Sequence, residues 1–210
     1  MGMEGWVAKW YATNTGKDKE QYRSLARSLA EDLAPGSAVL EVAPGPGFLA
    51  IDLAKSGKAT VTGLDISKSF VAIARQNAAR EGAAVDFQLG NASAMPFPAD
   101  SFDLIVCRAA FKNFSEPVQA LVEMHRVLRA GGKALVIDLR KDVSMKAVDA
   151  YVKNAGVGFF SGIMMKLTFR TVLVSRAYTK PQFQEFISRT PFQKSEIADD
   201  GLGFAISLWK

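Results

Sequence analysis

Ala38-Val39-Leu40-Glu41-Val42-Ala43-Pro44-Gly45-Pro46-Gly47-Phe48-Leu49-Ala50 reads as a short apolar strand, a Gly/Pro turn and the start of a helix, in that order. In an open parallel sheet such a turn lies at the carboxyl ends of the strands, where ligands bind. Its glycines let a ligand approach the backbone and allow angles that other residues avoid. The next strand, Thr60–Leu64, ends in Asp65. That carboxylate would emerge beside the turn, placed to accept both hydroxyls of a ribose. Strand, turn, helix and acid together point to a nucleoside-containing ligand, whereas a glycine turn alone could bind nothing.

Outward from this stretch the chain alternates strands and helices. A helix is expected over Lys17–Leu33, stopped by Pro35-Gly36, and another after Ser67, a plausible N-cap, running to Arg80 with Gly82 as its stop. Further strands are expected at Val85–Leu89, Phe102–Cys107 and Lys133–Leu139, with an amphipathic helix at Glu116–Leu128 ended by Gly131-Gly132. This alternation predicts right-handed βαβ units: an α/β, Rossmann-like, seven-stranded and mostly parallel sheet with helices on both faces. Phe192–Ala198 and Phe204–Trp209 read as a closing C-terminal antiparallel β-hairpin. We expect a single domain over 1–210: an N-terminal helical cap (1–36), a ligand-binding core (38–140), a helical substrate-covering insertion (144–177), and a last helix with the hairpin (179–210).

Composition narrows the chemistry. The 210 residues hold one histidine, His125, and one cysteine, Cys107, so disulfide scaffolds and multi-ligand Cys/His metal sites are excluded, and no metal is expected. His125 falls in mid-helix and Cys107 at a strand end, which favours structural roles for both. The lone cysteine and the absence of a signal-peptide pattern lead to a cytoplasmic expectation, and no apolar stretch is long enough to span a membrane. The net charge of +5 is unevenly spread: ten basic and twelve acidic residues precede position 106, and sixteen and nine follow. The later cations are scattered, so nucleic acid is not the favoured partner.

The turn itself discriminates between ligands. Gly45-Pro46-Gly47-Phe48-Leu49-Ala50 satisfies a dinucleotide pattern, but Pro44 and Pro46 lack the N–H groups that a pyrophosphate needs at a helix N-terminus. Glu41 would repel a phosphate and suit an ammonium or sulfonium. The chain thereby resembles the class I S-adenosylmethionine-dependent methyltransferases, in particular the small bacterial type-11 branch similar to quinone-biosynthesis methyltransferases. The resemblance rests on Glu41–Gly47, Asp65, Gly90-Asn91-Ala92, Phe102–Val106 and Glu123–Gly132, over about residues 38–140. It implies S-adenosyl-L-methionine as cofactor and S-adenosyl-L-homocysteine as product. It also implies that Glu41 and the backbone of Ala43, Gly45 and Gly47 line the methionine part, that Asp65 holds the ribose, and that Ile66 packs on the adenine. Asn91 and Ala92 would meet the adenine edge, and Tyr11 and Trp10 would fold over the cofactor. Ala43 stands where the family has its first glycine, which suits a residue with negative φ contributing only its carbonyl; Asn91 stands for a common aspartate.

The methyl acceptor should lie beyond the fourth strand, where Arg108, Phe111, Lys112 and Asn113 are the pocket candidates, Arg108 also reaching the cofactor. An anionic or phenolic small molecule is the expected partner, and the apolar side chains of 144–177 suit a lid, an apolar acceptor or a homodimer interface. Methyl transfer is an in-line displacement that needs position and desolvation more than a base. Competing readings are an NAD(P)-dependent oxidoreductase, a nucleic-acid methyltransferase and a cofactor-binding module without catalysis.

Overall fold

The computed structural model describes residues 3–15, 19–154 and 174–210. Its strands are β1 (Ser37–Val42), β2 (Ala59–Asp65), β3 (Val85–Leu89), β4 (Phe102–Arg108), β5 (Leu128–Leu139), β6 (Lys194–Asp200) and β7 (Gly203–Trp209). Among the described residues they form one sheet in the order β3-β2-β1-β4-β5-β7-β6. The first five run parallel, and β7 and β6 are antiparallel. From β1 the chain steps outward to β2 and β3, then returns to place β4 on the other side of β1. This reversal opens a crevice at the carboxyl ends of β1 and β4, the switch point where such sheets bind ligands.

The helices are α1 (Gly5–Thr15), α2 (Lys19–Asp32), α3 (Phe48–Lys55), α4 (Lys68–Glu81), α5 (Pro117–Val127), α6 (Met145–Asn154) and α7 (Lys180–Ser188). Period-2 alternation along the strands splits the core in two. Val39, Val61, Leu104 and Val106 face α2, α3 and α4, packing with Leu29, Leu49, Leu53, Val71 and Ala74. Leu40, Val42, Ile105, Cys107 and Val136 face α5 and α7, meeting Leu121, Met124, Phe183 and Ile187. Capping follows the sequence: Ser67 Oγ accepts from Phe70 N, and Gly82 ends α4 in the left-handed conformation. Thr179 and Gln182 form a capping box at α7.

Two boundaries differ from the sequence reading. Gly131-Gly132 do not stop α5, which ends at Val127; they lie inside β5, at an irregularity in its pairing with β4. The hairpin turn is tighter than expected, since only Gly201 and Leu202 separate β6 from β7. Gly201 supplies the positive φ of +60° that a two-residue turn with glycine first requires. In the insertion expected at 144–177, α6 is present, while 155–173, with Phe159 through Leu173, lies outside the described residues.

Phe87 on β3 explains two glycines near the crevice. A Cβ on Gly63 would stand 2.5 Å from the Phe87 ring and 3.2 Å from the Pro44 ring, and one on Gly47 would stand 2.6 Å from Phe87. The buried ring fills the slot that both leave open. Gly63→Ala should therefore overpack the floor of the turn and cost about 1–3 kcal/mol. Urea unfolding measures this, and unchanged stability would show that the ring can move aside.

Candidate functional site

The turn after β1 is built from left-handed residues. Ala43, Gly45 and Gly47 have φ of 56°, 54° and 80°. The expectation of a negative φ at Ala43 is thus corrected. Its N–H extends the ladder with β2 by donating to Leu64 O at 2.7 Å, after which the chain must swing off the sheet at once. Ala109 does the same one strand over: φ is 58°, and its N–H donates to Ile137 O at 2.7 Å. A left-handed alanine costs about 1–2 kcal/mol. Both such residues line the same cavity, the pattern expected where strain is kept at a functional site.

That cavity, about 490 Å³, sits at the carboxyl ends of the strands. Glu41, Ala43, Gly45, Asp65, Ile66, Asn91, Ala92, Arg108 and Asn113 all line it, as the sequence suggested. A larger one, about 580 Å³, opens among α1 to α4 and receives none of the candidate site residues.

Glu41 is buried, and its Oε2 accepts from Ala50 N in the first turn of α3 at 2.8 Å. Burial pushes its carboxyl up to about 8, against the pull of that N–H and of the Arg108 cation. Asp65 is 6% exposed; Oδ1 accepts from Ser67 N at 2.9 Å and Oδ2 from Gly45 N at 3.1 Å. Burial raises its carboxyl above the ordinary range too, although these two N–H groups lower it. Ile66 stands 53% exposed at the cavity edge, free to pack on a planar ring. Asn91 Oδ1 accepts from Ser93 N at 3.0 Å, which stiffens the loop after β3. Arg108 is held by α2: its guanidinium stacks 4.4 Å from the Tyr22 ring centroid, and Nη2 donates to Gln21 Oε1 at 3.1 Å.

Three expected residues stand elsewhere. Lys112 does not face the cavity; its Nζ donates to Asp138 Oδ1 at 2.7 Å in a pair whose side chains are 7% and 1% exposed. Burial of an unpaired ammonium is so costly that the nearby carboxylate claims it. Its backbone N–H also donates to Asp138 Oδ2, so the pair anchors the short turn Phe111–Asn113 to β5. Phe111 is a fully buried core residue against Phe114 and Phe183. Gly47 is turned toward Phe87 and is not part of the lining. Tyr11 falls in α1, but its side chain, like that of Trp10, lies outside the described residues.

Met3, Tyr22, Phe70, Ser93, Ser115 and Arg176 also line the cavity and went unremarked in the sequence. Met3 arrives there because the N-terminal segment is tied to α4: Ser67 Oγ donates to Met3 O, and Glu4 accepts from the N–H groups of Lys68 and Ser69. An acid at a helix N-terminus is a legible signal only once the two segments are known to meet. His125, on α5, packs edge-on against Phe192, and burial lowers its basicity. Cys107 is buried, which pushes its thiol well up and leaves it inert.

The raised Glu41 pKa has a measurable consequence. A carboxyl whose value rises from 4.5 unfolded to about 8 folded contributes stability below about pH 4.5 and loses it as pH climbs through 8. Urea unfolding between pH 5 and 9 should show wild type losing stability relative to Glu41→Gln as pH rises. Parallel profiles would contradict the assignment.

The donor set can be tested against S-adenosylmethionine. Inside the turn, Ala43 N–H goes to Leu64 O, Gly45 N–H to Asp65 and Gly47 N–H to Pro44 O, while Pro44 and Pro46 have none. Every donor at positions 43–47 is spent within the protein, and two carboxyls face the cavity. Such a lining fits a ligand rich in donors and positive charge, and fails for a pyrophosphate.

A methyltransferase-domain family model matches residues 40–136. A demethylmenaquinone methyltransferase of Chlorobaculum parvum is 33% identical over 166 residues, covering 76% of this chain and 67% of that protein. A ubiquinone/menaquinone biosynthesis C-methyltransferase of a Marinomonas species is 34% identical over 113 residues, covering 52% and 45%. The chain thus spans about half to two thirds of the length of these relatives. Among solved structures, an S-adenosyl-L-methionine-dependent methyltransferase of Methanococcus maripaludis superposes with a TM-score of 0.74 at 21% identity, covering 100% of this chain and 97% of that one. With the strand-end acids and the spent turn donors, these matches identify the chain as a member of the class I S-adenosylmethionine-dependent methyltransferase family.

Proposed function

We propose that this chain transfers the methyl group of S-adenosylmethionine to a small aromatic acceptor of quinol or phenol type. The observation that supports this most is the spent donor set of the turn facing two desolvated carboxyls. An NAD(P)-dependent reaction would need the opposite polarity at that place. A nucleic-acid acceptor has little support either. Of the later cations, Lys112, Arg126, Arg129, Arg140 and Lys210 are paired with acids, and Lys133 and Lys194 lie over Trp209. The relatives' names supply the acceptor class, and the apolar walls Ala110 and Phe114 beyond β4 suit a planar ring.

In this reading Glu41 faces the donor's ammonium, Asp65 its ribose hydroxyls, Ile66 and Asn91 its adenine, and Arg108 its carboxylate. Tyr11 and the insertion of 144–177 would cover the bound molecules. When bound, the cofactor supplies a methyl group activated by a sulfonium. The protein's own work is to hold the acceptor in line with that group and exclude water; no histidine is placed for proton transfer. Cytoplasmic operation on a diffusing acceptor belongs to the same reading, as does a homodimer formed through the insertion.

Asp65→Ala removes a charge-assisted contact to the ribose, worth about 1.5–3 kcal/mol, so S-adenosylhomocysteine should bind roughly 10- to 100-fold more weakly. Unchanged affinity in calorimetry would displace the ribose from this strand end. Labelled methyl transfer screened against quinols, phenols, amines, small acids and RNA should mark the quinol or phenol arm; label in RNA alone would overturn the acceptor class.

A further inference from the structure

Two arginines line the cavity, and they differ in what holds them. Arg108 is stacked on Tyr22 and bonded to Gln21. Arg176, in the turn 174–176 before α7, is exposed and has no hydrogen bond, ion pair or ring contact among the described residues. It is the one cation lining the cavity, among the described residues, that the fold leaves without a partner.

Its position follows from the sheet order. Tyr178, two residues on, bridges to Arg140 just beyond β5, and its carbonyl accepts from Lys141 N. The Tyr178 ring packs 6.2 Å from that of Phe111, which heads the turn leading to Asn113, Phe114 and Ser115 on the cavity wall. Arg176 thus belongs to the β4 and β5 side. Asp65 and Asn91 belong to the β2 and β3 side, across β1. The lining acids, Glu41 and Asp65, lie at the ends of β1 and β2, so among the described residues no lining carboxylate comes from the elements around Arg176.

A guanidinium is charged at any physiological pH, and its planar fork matches a carboxylate with two parallel hydrogen bonds. An amide and a hydroxyl, on Asn113 and Ser115, come from the neighbouring turn and can donate to the same group. We propose that Arg176, Asn113 and Ser115 form a carboxylate-recognition corner, so that the quinol- or phenol-type acceptor carries a carboxylate on its ring system rather than being neutral. This rests on the reading that the methyl donor occupies the β1 to β3 end of the cavity.

The test is calorimetric titration of the whole chain, alone and saturated with S-adenosylhomocysteine, with 2-naphthoate and its neutral counterpart 2-naphthamide. Wild type should bind the acid at least about tenfold more tightly than the amide. Arg176→Gln should bring the two within about twofold while S-adenosylhomocysteine affinity stays within about twofold, and Arg176→Lys should restore part of the preference. Equal binding of acid and amide by wild type, binding of neither, or an undiminished preference in Arg176→Gln would each overturn the corner. A preference that follows Arg176 without any S-adenosylhomocysteine binding would support the corner and overturn the methyl-donor reading.

Discussion

The hydrogen bond from Ala50 N to Glu41 Oε2, 2.8 Å long, joins the end of β1 to the first turn of α3. Around it the chain must reverse within five residues, and it does so through three left-handed positions, one of them an alanine. The bond satisfies one of the helix's orphan N–H groups with a carboxyl from the preceding strand. It also fixes where that carboxyl sits, at the floor of the crevice. Remove it and both the strand-to-helix path and the acid's placement are lost.

Burial decides the electrostatics that follow. A carboxyl at a helix N-terminus facing an arginine would ordinarily be acidic, yet desolvation outweighs both influences at Glu41. The site therefore holds acidity in reserve. A cationic ligand would recover the ionised form and gain an interaction in low dielectric, where charge pairs are strongest. A phosphate would meet spent donors and two acids. The same arrangement that costs the fold stability thus selects the ligand.

Much of this was legible in the sequence because it is local. Strand periodicity, the Gly/Pro turn, Ser67 and Gly82 as caps, and Asp65 at a strand tip are all read from near neighbours, and each stands where expected. What failed was non-local. Nothing near Lys112 announces that Asp138, twenty-six residues on, will bury its charge, and nothing in Phe111 separates a core ring from a pocket wall. Arg176 was hidden for the converse reason, lying in a stretch that read as helix while its lack of a partner among the described residues is a property of the folded molecule. Gly131-Gly132 carry the signal of a helix stop and serve as an irregularity in β5, where the pairing with β4 overrides local preference.

The central claim is that polarity at the turn, rather than the glycine pattern, determines the ligand. Side-by-side calorimetric titration of the wild-type chain with S-adenosylmethionine and with NADH measures this most directly. The account predicts saturable binding of S-adenosylmethionine with about one site per chain and no binding of NADH. Saturable NADH binding with none of S-adenosylmethionine would contradict it.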